Sequence, residues 1–403
     1  MKRIITAFAV NLLVFNCIAQ DLVDWRGPNR SGIYNETGLL RSWPVDGPKL
    51  LWSYDGLGKG FSTVTIAEGK IFTTGEVDST GTLFAFDLKG TLIWKVQYGA
   101  EWDSKYPGSR ATPVYYKGKL FFQTGKNEAV SFDAKTGKKI WSVDLEKKFG
   151  ARNITFGVTE SPVINGNKVY FTIGGDSVSI VALNIDNGET IWKSNATNEK
   201  SAYCSPLLFE YKEKKYLATS LTDDIIGLDA ENGSLLWKVS QKNKYSIHPN
   251  TPLFKDGYLY SVTGYKTGGV MLKIADDGKS VTELWRNESL DNQIGGAVWL
   301  NDYIIGSGHQ NDRSWQALDP KTGTVLFKTD SLKQGAIVSA DGLLFGYADN
   351  GDVGLMEFDS KGFTLKSKFK IKLGTDQHWA HPVIEKGILY IRHGNTLLAY
   401  AIK

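Results

Sequence analysis

The sequence is poor in cysteine and methionine. Its 403 residues include only two cysteines, Cys17 and Cys204, and three methionines. If the first twenty residues are removed, Cys204 alone remains, which excludes an intramolecular disulfide. Aromatic residues, by contrast, make up 12% of the chain and glycines number 43. This composition favours stiff β packing and many turns over helices.

The chain also lacks a strong charge bias. Its formal net charge is +4, and removing residues 1–20, which carry Lys2 and Arg3, would leave +2. So small a bias indicates neither nucleic acid nor an anionic membrane as partner. After residue 20, no apolar run approaches the ~20 residues of a transmembrane helix, so we predict no transmembrane segment.

Residues 1–20 have the pattern of a secretory signal peptide. Lys2 and Arg3 precede an apolar run from Ile4 to Phe15, and small residues follow near Ala19. We therefore expect a secreted or periplasmic protein. Lipidation of Cys17 is the alternative, which Asn16 disfavours at the position preceding the cysteine.

A repeated unit punctuates the rest of the chain. It consists of a strand ending in Asp or Asn, a Gly four residues after that residue, and an aromatic residue eight residues after it. The clearest copies run over residues 133–141, 184–192, 229–237 and 319–327, and a shorter one over 87–94. Because Asp accepts hydrogen bonds from the following N–H groups and Gly supplies a positive φ, each copy predicts a strand, a turn and a strand. The aromatic residue is expected to wedge against a neighbouring sheet.

The spacing of these units predicts an all-β fold, an eight-bladed β-propeller of four-stranded antiparallel blades. Blade openings are expected near residues 61, 112, 161, 205, 251, 296, 336 and 381, at blade-like intervals. The strand Leu50 to Ser53 has no turn of its own, and the end of the chain supplies only three strands. We therefore predict that this N-terminal strand completes the last blade and closes the ring. The expected organisation is a signal peptide (1–20), an N-terminal arm packed on the propeller (21–47) and the propeller itself (48–403). The arm is expected to lie over one face, with Trp25 and Trp43 as anchors that fill the core.

The repeat resembles the tryptophan-docking repeat of pyrroloquinoline-quinone (PQQ) propellers. The likeness rests on residues 317–323 (ALDPKTG) with Phe327, on the leader 25–28 (WRGP) and on the tail 379–383 (WAHPV). That family includes quinoprotein alcohol dehydrogenases and BamB-like or polyvinyl-alcohol-dehydrogenase-like proteins. The resemblance implies the propeller fold directly, whereas repeat motifs are scaffold and do not determine function.

Candidate site residues are those that precede the blade openings, because they should ring one mouth of the central channel. Two long entering loops add aromatic and charged side chains to the same arc. The candidates for binding a ligand or cofactor are Arg110, Glu160, Asn250, Gln293, His378, His381, Trp102, Tyr106, Arg152 and Phe156.

The resemblance implies PQQ and Ca²⁺ as cofactors, although neither is assured. Arg110 could pair with a carboxylate of the quinone, and Glu160 and Asn250 could supply oxygen ligands to Ca²⁺. The alternative is that Arg110 and Glu160 pair with each other at a blade junction. His378 and His381 are expected to make structural hydrogen bonds, because three-residue spacing at a strand entry does not converge them on a metal.

Three functions remain open. The first is a binding or scaffold module with protein partners at the cell envelope or a small or polymeric ligand at the channel mouth, with a role in outer-membrane protein assembly as the nearest family function. The second is a PQQ-dependent oxidoreductase acting on an alcohol or polymer alcohol, although no general base can be placed in the sequence. The third is a glycan-binding accessory protein, in which Trp102, Tyr106 and Phe156 would stack on sugars. A monomer is expected.

Overall fold

The structure is a computed structural model that describes residues 22–195 and 197–403. The predicted signal peptide and Cys17 lie outside these residues. In this described part, no helix is long and apolar enough to cross a membrane.

The first described segment, residues 22–47, is called the leader. It contains β1 (Leu22–Val23), a single 3-10 turn (Pro28–Arg30) and β2 (Ile33–Tyr34). The next strand is β3 (Leu50–Tyr54).

The first four blades follow in chain order. The first blade contains β4 (Thr65–Ala67), β5 (Lys70–Val77), β6 (Thr80–Asp87) and β7 (Leu92–Gly99). The second contains β8 (Val114–Tyr116), β9 (Lys119–Gln123), β10 (Glu128–Asp133) and β11 (Lys139–Asp144), and helix α1 (Leu145–Phe149) comes after it. The third contains β12 (Val163–Asn165), β13 (Lys168–Thr172), β14 (Val178–Asn184) and β15 (Thr190–Asn195). The fourth contains β16 (Leu207–Tyr211), β17 (Lys214–Ser220), β18 (Asp224–Asp229) and β19 (Leu235–Ser240).

The last four blades repeat the arrangement. The fifth contains β20 (Leu253–Lys255), β21 (Tyr258–Thr263), β22 (Gly268–Ile274) and β23 (Val281–Asn287). The sixth contains β24 (Ala297–Leu300), β25 (Tyr303–Ser307), β26 (Trp315–Leu318) and β27 (Val325–Thr329). The seventh contains β28 (Gly335–Ala340), β29 (Leu343–Ala348), β30 (Asp352–Asp359) and β31 (Gly362–Lys370). The eighth contains β32 (Val383–Glu385), β33 (Ile388–His393) and β34 (Thr396–Ala401).

Strand β3 completes the eighth blade, which confirms the predicted eight-bladed propeller and its closure. The sheet order is β3-β34-β33-β32, and β3 pairs with β34 in antiparallel register from Leu50 opposite Tyr400 to Tyr54 opposite Leu397. This pairing covers the edge that each of the two chain segments would otherwise expose.

The repeated turns form as the sequence predicts. In the second blade, Asp133 Oδ1 accepts hydrogen bonds from the N–H groups of Lys135 and Thr136 at 3.1 and 2.7 Å. Gly137 has a φ of +72°, a conformation that L side chains rarely adopt. Trp94 of the preceding blade lies against this glycine, and a Cβ there would come within 2.9 Å of the indole. The turn therefore docks the tryptophan of one blade onto the next.

The leader enters the central channel, whereas a position over one face was expected. β1 adds to the inner strand β8 of the second blade, and β2 runs parallel to the inner strand β28 of the seventh. Between these strands, Arg26 and Arg30 are 2% and 1% exposed, so the leader crosses the channel with both guanidinium groups buried. Trp43, at its far end, packs on Phe345 and Phe369 as the expected anchor.

Candidate functional site

A cavity of about 310 Å³ opens where the chain enters the innermost strands, and it is called the entrance pocket. Its lining comes from the connections into seven of the eight blades and from the leader. The lining residues are Trp25, Phe61, Thr63, Tyr106, Arg110, Thr112, Phe156, Thr159, Tyr203, Ser205, Ile247, Pro249, Tyr265, Gln293, Ile294, Trp379 and His381.

Five aromatic rings follow one another around half of this pocket and are called the aromatic arc. Trp379 lies between Phe61 and Tyr106, with ring centroids 5.1 and 5.0 Å away. Tyr106 continues to Phe156 at 5.9 Å, and Phe156 continues to Tyr203 at 6.0 Å. The rings come from the first, second, third, fourth and eighth blade entries, so the arc forms only when the ring of blades is closed.

Arg110 places the only fixed positive charge in the pocket lining. Its guanidinium lies 5.1 Å from the centroid of the Phe61 ring and donates hydrogen bonds to the carbonyls of Gly108 and Tyr106. Burial lowers the pKa of Arg110 to about 10, while Glu101 and Tyr203 oppose that shift. Arginine therefore stays charged at neutral pH, with donors left over after its two carbonyl partners.

No carboxylate in the described chain forms an ion pair with Arg110. Glu101 acts on it through space, but both Glu101 oxygens are already occupied. Tyr98 donates to Oε2 at 2.6 Å, and the N–H groups of Trp102 and Gly125 donate to Oε1. A desolvated guanidinium without an acidic partner favours an anionic group of a ligand.

The wall opposite the aromatic arc is apolar with one polar pair. Ile247, Pro249 and Ile294 form its surface. Beside them, Gln293 Nε2 donates to the hydroxyl oxygen of Tyr265 at 2.8 Å. The Tyr265 hydroxyl is thus an acceptor in this pair and retains its own hydrogen for donation to a ligand.

Trp25 and His381 meet at the inner end of the pocket. Their rings are 5.1 Å apart in an edge arrangement. Burial, together with the charge of Arg26, lowers the pKa of His381 to about 3, so its imidazole is neutral at physiological pH. Trp25 was expected to fill the core, but the structure places it in the pocket lining.

Five of the predicted site residues share this pocket, and five do not. The lining includes Arg110, Tyr106, Phe156, Gln293 and His381. The other candidates, Glu160, Asn250, His378, Trp102 and Arg152, lie outside it.

Glu160 is buried behind the pocket wall and does not pair with Arg110. It is 1% exposed, and its Oε2 accepts a hydrogen bond from the N–H of Thr159 at 2.9 Å. Burial raises the pKa of Glu160 to about 7. The alternative pairing of Arg110 with Glu160 is therefore not formed. Arg110 lies two positions before its blade opening and Glu160 only one, and a shift of one residue turns a side chain to the opposite face.

Asn250 and His378 are occupied by structural contacts. Asn250 Nδ2 donates to the carbonyls of Val262 and Asn292, and its Oδ1 accepts from the N–H of Gly296. His378 Nδ1 lies 2.6 Å from the hydroxyl of Tyr347, and its ring stacks on His393 at 3.7 Å. These contacts agree with the expectation that His378 makes structural hydrogen bonds.

Trp102 and Arg152 lie in the two long loops, outside the pocket lining, and make hydrogen bonds and an ion pair there. Trp102 Nε1 donates to the Lys105 carbonyl at 3.0 Å, which closes its loop. Arg152 forms an ion pair with Asp176 at 2.8 Å and donates to the Gly174 carbonyl at 3.0 Å. Their candidacy as ligand contacts remains a prediction.

The oxygen donors proposed for Ca²⁺ do not converge. Glu160 is buried outside the pocket lining, and the Asn250 amide is fully used by backbone partners. Across residues 22–195 and 197–403, no group of three His, Cys, Asp or Glu side chains is arranged to hold a metal. The aromatic arc and Arg110 suit a planar anionic ring system, but these residues do not fit the metal proposed to accompany it.

Four residues of the pocket lining are absent from the predicted site residues: Phe61, Trp379, Trp25 and Tyr265. The first two could have been found from their distance in sequence to the blade opening. The lining residues Phe61, Arg110, Thr159, Tyr203, Pro249, Ile294 and Trp379 all lie two positions before the Thr, Ser, Gly or His at the blade opening. Glu160 and Asn250 lie one position before it, and a shift of one residue turns a side chain to the opposite face.

Comparison with protein families gives a match over most of the chain. The family model described as outer membrane protein assembly factor BamB matches residues 32–179 and 176–299. Among curated proteins, a quinoprotein alcohol dehydrogenase of Pseudomonas putida is 28% identical over 28% of this chain and 18% of its own. A polyvinylalcohol dehydrogenase of a Sphingopyxis species is 23% identical over 44% of this chain and 28% of its own. BamB of Yersinia pestis is 27% identical over 27% of each chain. In each case the match spans less than a third of the relative's length.

Solved structures share the fold at low sequence identity. BamB from Moraxella catarrhalis aligns with a TM-score of 0.61 and 15% identity, over 88% of this chain and 99% of that one. A quinohemoprotein alcohol dehydrogenase from Pseudomonas putida aligns with a TM-score of 0.65 and 14% identity, over 93% and 79%. These likenesses support the propeller architecture and carry no argument about activity.

Proposed function

The chain belongs to the outer membrane protein assembly factor BamB family, and from that premise we propose that it is a binding protein of the bacterial envelope. In this proposal, the entrance pocket holds the apolar body of a ligand that also carries one anionic group. A contribution to outer-membrane protein assembly is the role that the family description suggests. Secretion to the envelope is part of the same proposal.

The observation that carries the proposal is an aromatic pocket with one guanidinium that has no acidic partner. The aromatic arc offers ring faces and edges that bury an apolar body, at roughly 25 cal/mol for each Å² removed from water. Arg110 offers free donors near the mouth, where a charge-assisted hydrogen bond contributes about 1.5 to 3 kcal/mol. An amphiphilic anion uses both features at once.

The ionisable groups of the lining favour binding over acid–base chemistry. No Asp, Glu, Lys or Cys lines the entrance pocket, and His381 is held neutral by a pKa of about 3. Burial also raises the pKa of Tyr203 to about 12, so its phenol keeps its proton. None of these groups has the near-neutral pKa that suits a general base.

Binding of an anionic naphthyl dye tests this proposal. We expect 1-anilinonaphthalene-8-sulfonate to fluoresce when it occupies the pocket, and Arg110→Gln to weaken its affinity about tenfold or more. The uncharged dye N-phenyl-1-naphthylamine has nearly the same apolar body without the sulfonate. Its affinity should change little in the same variant, which separates loss of charge from damage to the loop that Arg110 supports.

The control variant is Arg286→Gln, which removes an exposed guanidinium paired with Glu283 on an outer strand. Both dyes should bind this variant as they bind the unaltered protein. Equal affinity of the sulfonated dye for the Arg110→Gln variant and the unaltered protein would refute the role of Arg110. If neither dye binds the unaltered protein, the pocket is not a site for apolar anions.

A quinone-dependent oxidoreductase is the second candidate, because several matched relatives are named quinoprotein dehydrogenases. The aromatic arc could stack on PQQ, and Arg110 could pair with one of its carboxylates. Ultraviolet-visible spectra of the protein mixed with PQQ, with and without Ca²⁺, test this directly. A bound quinone spectrum that requires Ca²⁺ would favour the oxidoreductase, and it would overturn the conclusion that the pocket residues do not fit the metal.

A further inference from the structure

A second cavity of about 480 Å³ lies on the other side of the leader and is called the far cavity. Leader residues form one side of it, and the innermost strands of the first, third, fourth and eighth blades form the other. The strand residues in its lining are Val64, Thr65, Ile66, Val163, Ile164, Leu207, Leu208, Val383, Ile384 and Glu385.

The entrance pocket and the far cavity are two ends of one channel. Along the first blade, Thr63 lines the entrance pocket and Val64 lines the far cavity. The same order holds in the fourth blade, where Ser205 precedes Leu207, and in the eighth, where His381 precedes Val383. In these three blades the chain thus passes from one cavity to the other within about two residues.

Trp25 is the leader residue that divides them. Its ring lines the entrance pocket, whereas its chain neighbours Asp24 and Arg26 line the far cavity. The indole contacts His381, which belongs to the entrance lining, at a centroid distance of 5.1 Å.

The backbone that carries Trp25 is anchored from both sides. Arg26 Nη2 donates to the Ala297 carbonyl at 2.6 Å and to the Ile337 carbonyl at 3.3 Å. Arg30 donates to the carbonyls of Ser161 and Pro206 at 2.9 and 2.7 Å, in the third and fourth blade entries. The partition is therefore held by blades on opposite sides of the channel.

We infer that Trp25 determines the length of ligand that the protein accepts. This inference rests on the proposed function, in which an anionic group sits near Arg110 and an apolar body extends inward. Arg110 precedes its inner strand, so it lies at the mouth, while Trp25 meets His381 deeper in the channel. A linear apolar tail therefore extends inward from Arg110 until it meets the Trp25 ring, which limits its length.

The far cavity behind Trp25 is lined by charged leader side chains as well as by strand residues. Asp24, Arg26 and Arg30 line it, whereas Val163, Leu207 and Val383 are at most 7% exposed and pack in the hydrophobic cores of the blades. Truncating Trp25 therefore adds the volume of its ring to the inner end of the entrance pocket, without changing Arg110 or the aromatic arc, and the charged side chains behind it set the new limit. Trp25 is in this sense a specificity-determining residue, because it excludes long ligands while it contacts short ones.

The test uses linear saturated carboxylates from hexanoate to hexadecanoate as competitors of bound 1-anilinonaphthalene-8-sulfonate. In the unaltered protein, affinity should rise roughly fourfold for each added methylene, as burial of one methylene group dictates, and then level off. In the Trp25→Ala variant the rise should continue for about two further methylenes before it levels off, giving at least a tenfold gain for carboxylates of that length. Trp25→Phe should move the limit by less.

Trp94→Ala is the matched control, because Trp94 packs on the turn glycine Gly137 of the next blade, away from the channel, with its Nε1 bonded to the Lys135 carbonyl. This variant should keep the original length limit. Thermal melting of each variant verifies that it is folded. If the Trp25→Ala variant is not folded, the length limit is measured with the Trp25→Phe variant instead.

The outcomes distinguish the two levels of the proposal. If no carboxylate displaces the dye from the unaltered protein, the proposed ligand class is wrong, and the inference falls with it. If carboxylates bind but the length limit is the same in the unaltered protein and both Trp25 variants, the inference alone is wrong.

Discussion

Trp141 lies across the turn glycine Gly188 of the next blade, and its Nε1–H donates to the Ile185 carbonyl at 3.0 Å. A Cβ at Gly188 would come within 3.0 Å of the indole. One side chain thus supplies both apolar contact and a directional bond between two blades. The same pairing joins Trp52 to Gly90, Trp94 to Gly137 and Trp285 to Gly323.

The Trp141→Ala change should lower the free energy of unfolding by about 3 to 5 kcal/mol. The indole is 7% exposed, so its removal leaves a cavity between blades and an unpaired carbonyl. Trp102→Ala is the comparison, because that ring lies in a surface loop and should cost about 1 kcal/mol or less. Urea unfolding measures both, and equal losses would contradict the distinction between docking and loop tryptophans.

Ring closure predicts that deletion of residues 48–52 lowers stability by several kcal/mol. The deletion removes most of β3, which covers β34, and removes Trp52, whose Nε1 donates to the Leu88 carbonyl at 3.1 Å. The eighth blade then has an exposed edge and loses its contact with the first blade. Leu51→Ala, a change at a half-exposed position in the same strand, should be nearly silent. An unchanged melting temperature after the deletion would contradict closure by β3.

The contacts of Arg30 predict that substitutions of Arg30 and of Asp24 have coupled effects on the free energy of unfolding. Arg30 forms an ion pair with Asp24 at 2.8 Å and is 1% exposed. Arg30→Ala should cost about 3 kcal/mol or more, because Asp24 and three backbone carbonyls lose a charged donor. The double variant with Asp24→Asn should recover part of this loss. Additive losses in a double-mutant cycle would show that the pair is not a coupled unit.

The buried carboxyl group of Glu160 should make the free energy of unfolding fall as the pH rises. Burial raises its pKa from 4.5 to about 7, so the folded state holds a proton that the unfolded state releases. The contribution of this group is complete below pH 4.5, falls as pH rises toward 7, and by pH 8 has lost about 3 kcal/mol. Glu160→Gln should remove this dependence and make the protein more stable than the unaltered chain at pH 8. The free energy of unfolding at pH 4 and pH 8 measures it, and identical pH profiles would refute the buried-acid assignment.

The fold could be predicted from the sequence because each repeat specifies its own local structure. Asp133 and Gly137 define a turn through hydrogen bonds and backbone conformation within five residues, and Trp141 follows at a constant spacing. The N-terminal strand could be assigned to the last blade because one strand was left over near the N-terminus and the last blade lacked one. These are local rules that hold without knowledge of distant contacts.

The site was predicted only in part, because its members depend on register and on long-range contacts. Arg110 and Tyr106, predicted from the sequence to lie at the channel mouth, both line the entrance pocket. Glu160 was chosen one position out of register, so its side chain enters the blade junction, while Thr159 faces the pocket. Trp25 could not be placed, since its position depends on hydrogen bonds from Arg26 and Arg30 to strands more than a hundred residues away.

The closing pair of strands also has a consequence for the order in which the protein is made. Leu50 of β3 pairs with Tyr400 of β34, which is 350 positions later in the chain. During synthesis, β3 therefore remains unpaired while the other blades emerge one after another. Each of those blades can form its hairpins from local contacts, but the circle stays open until the last strand is released. Joining such distant segments is slow, so we expect a late kinetic step in refolding that involves the eighth blade.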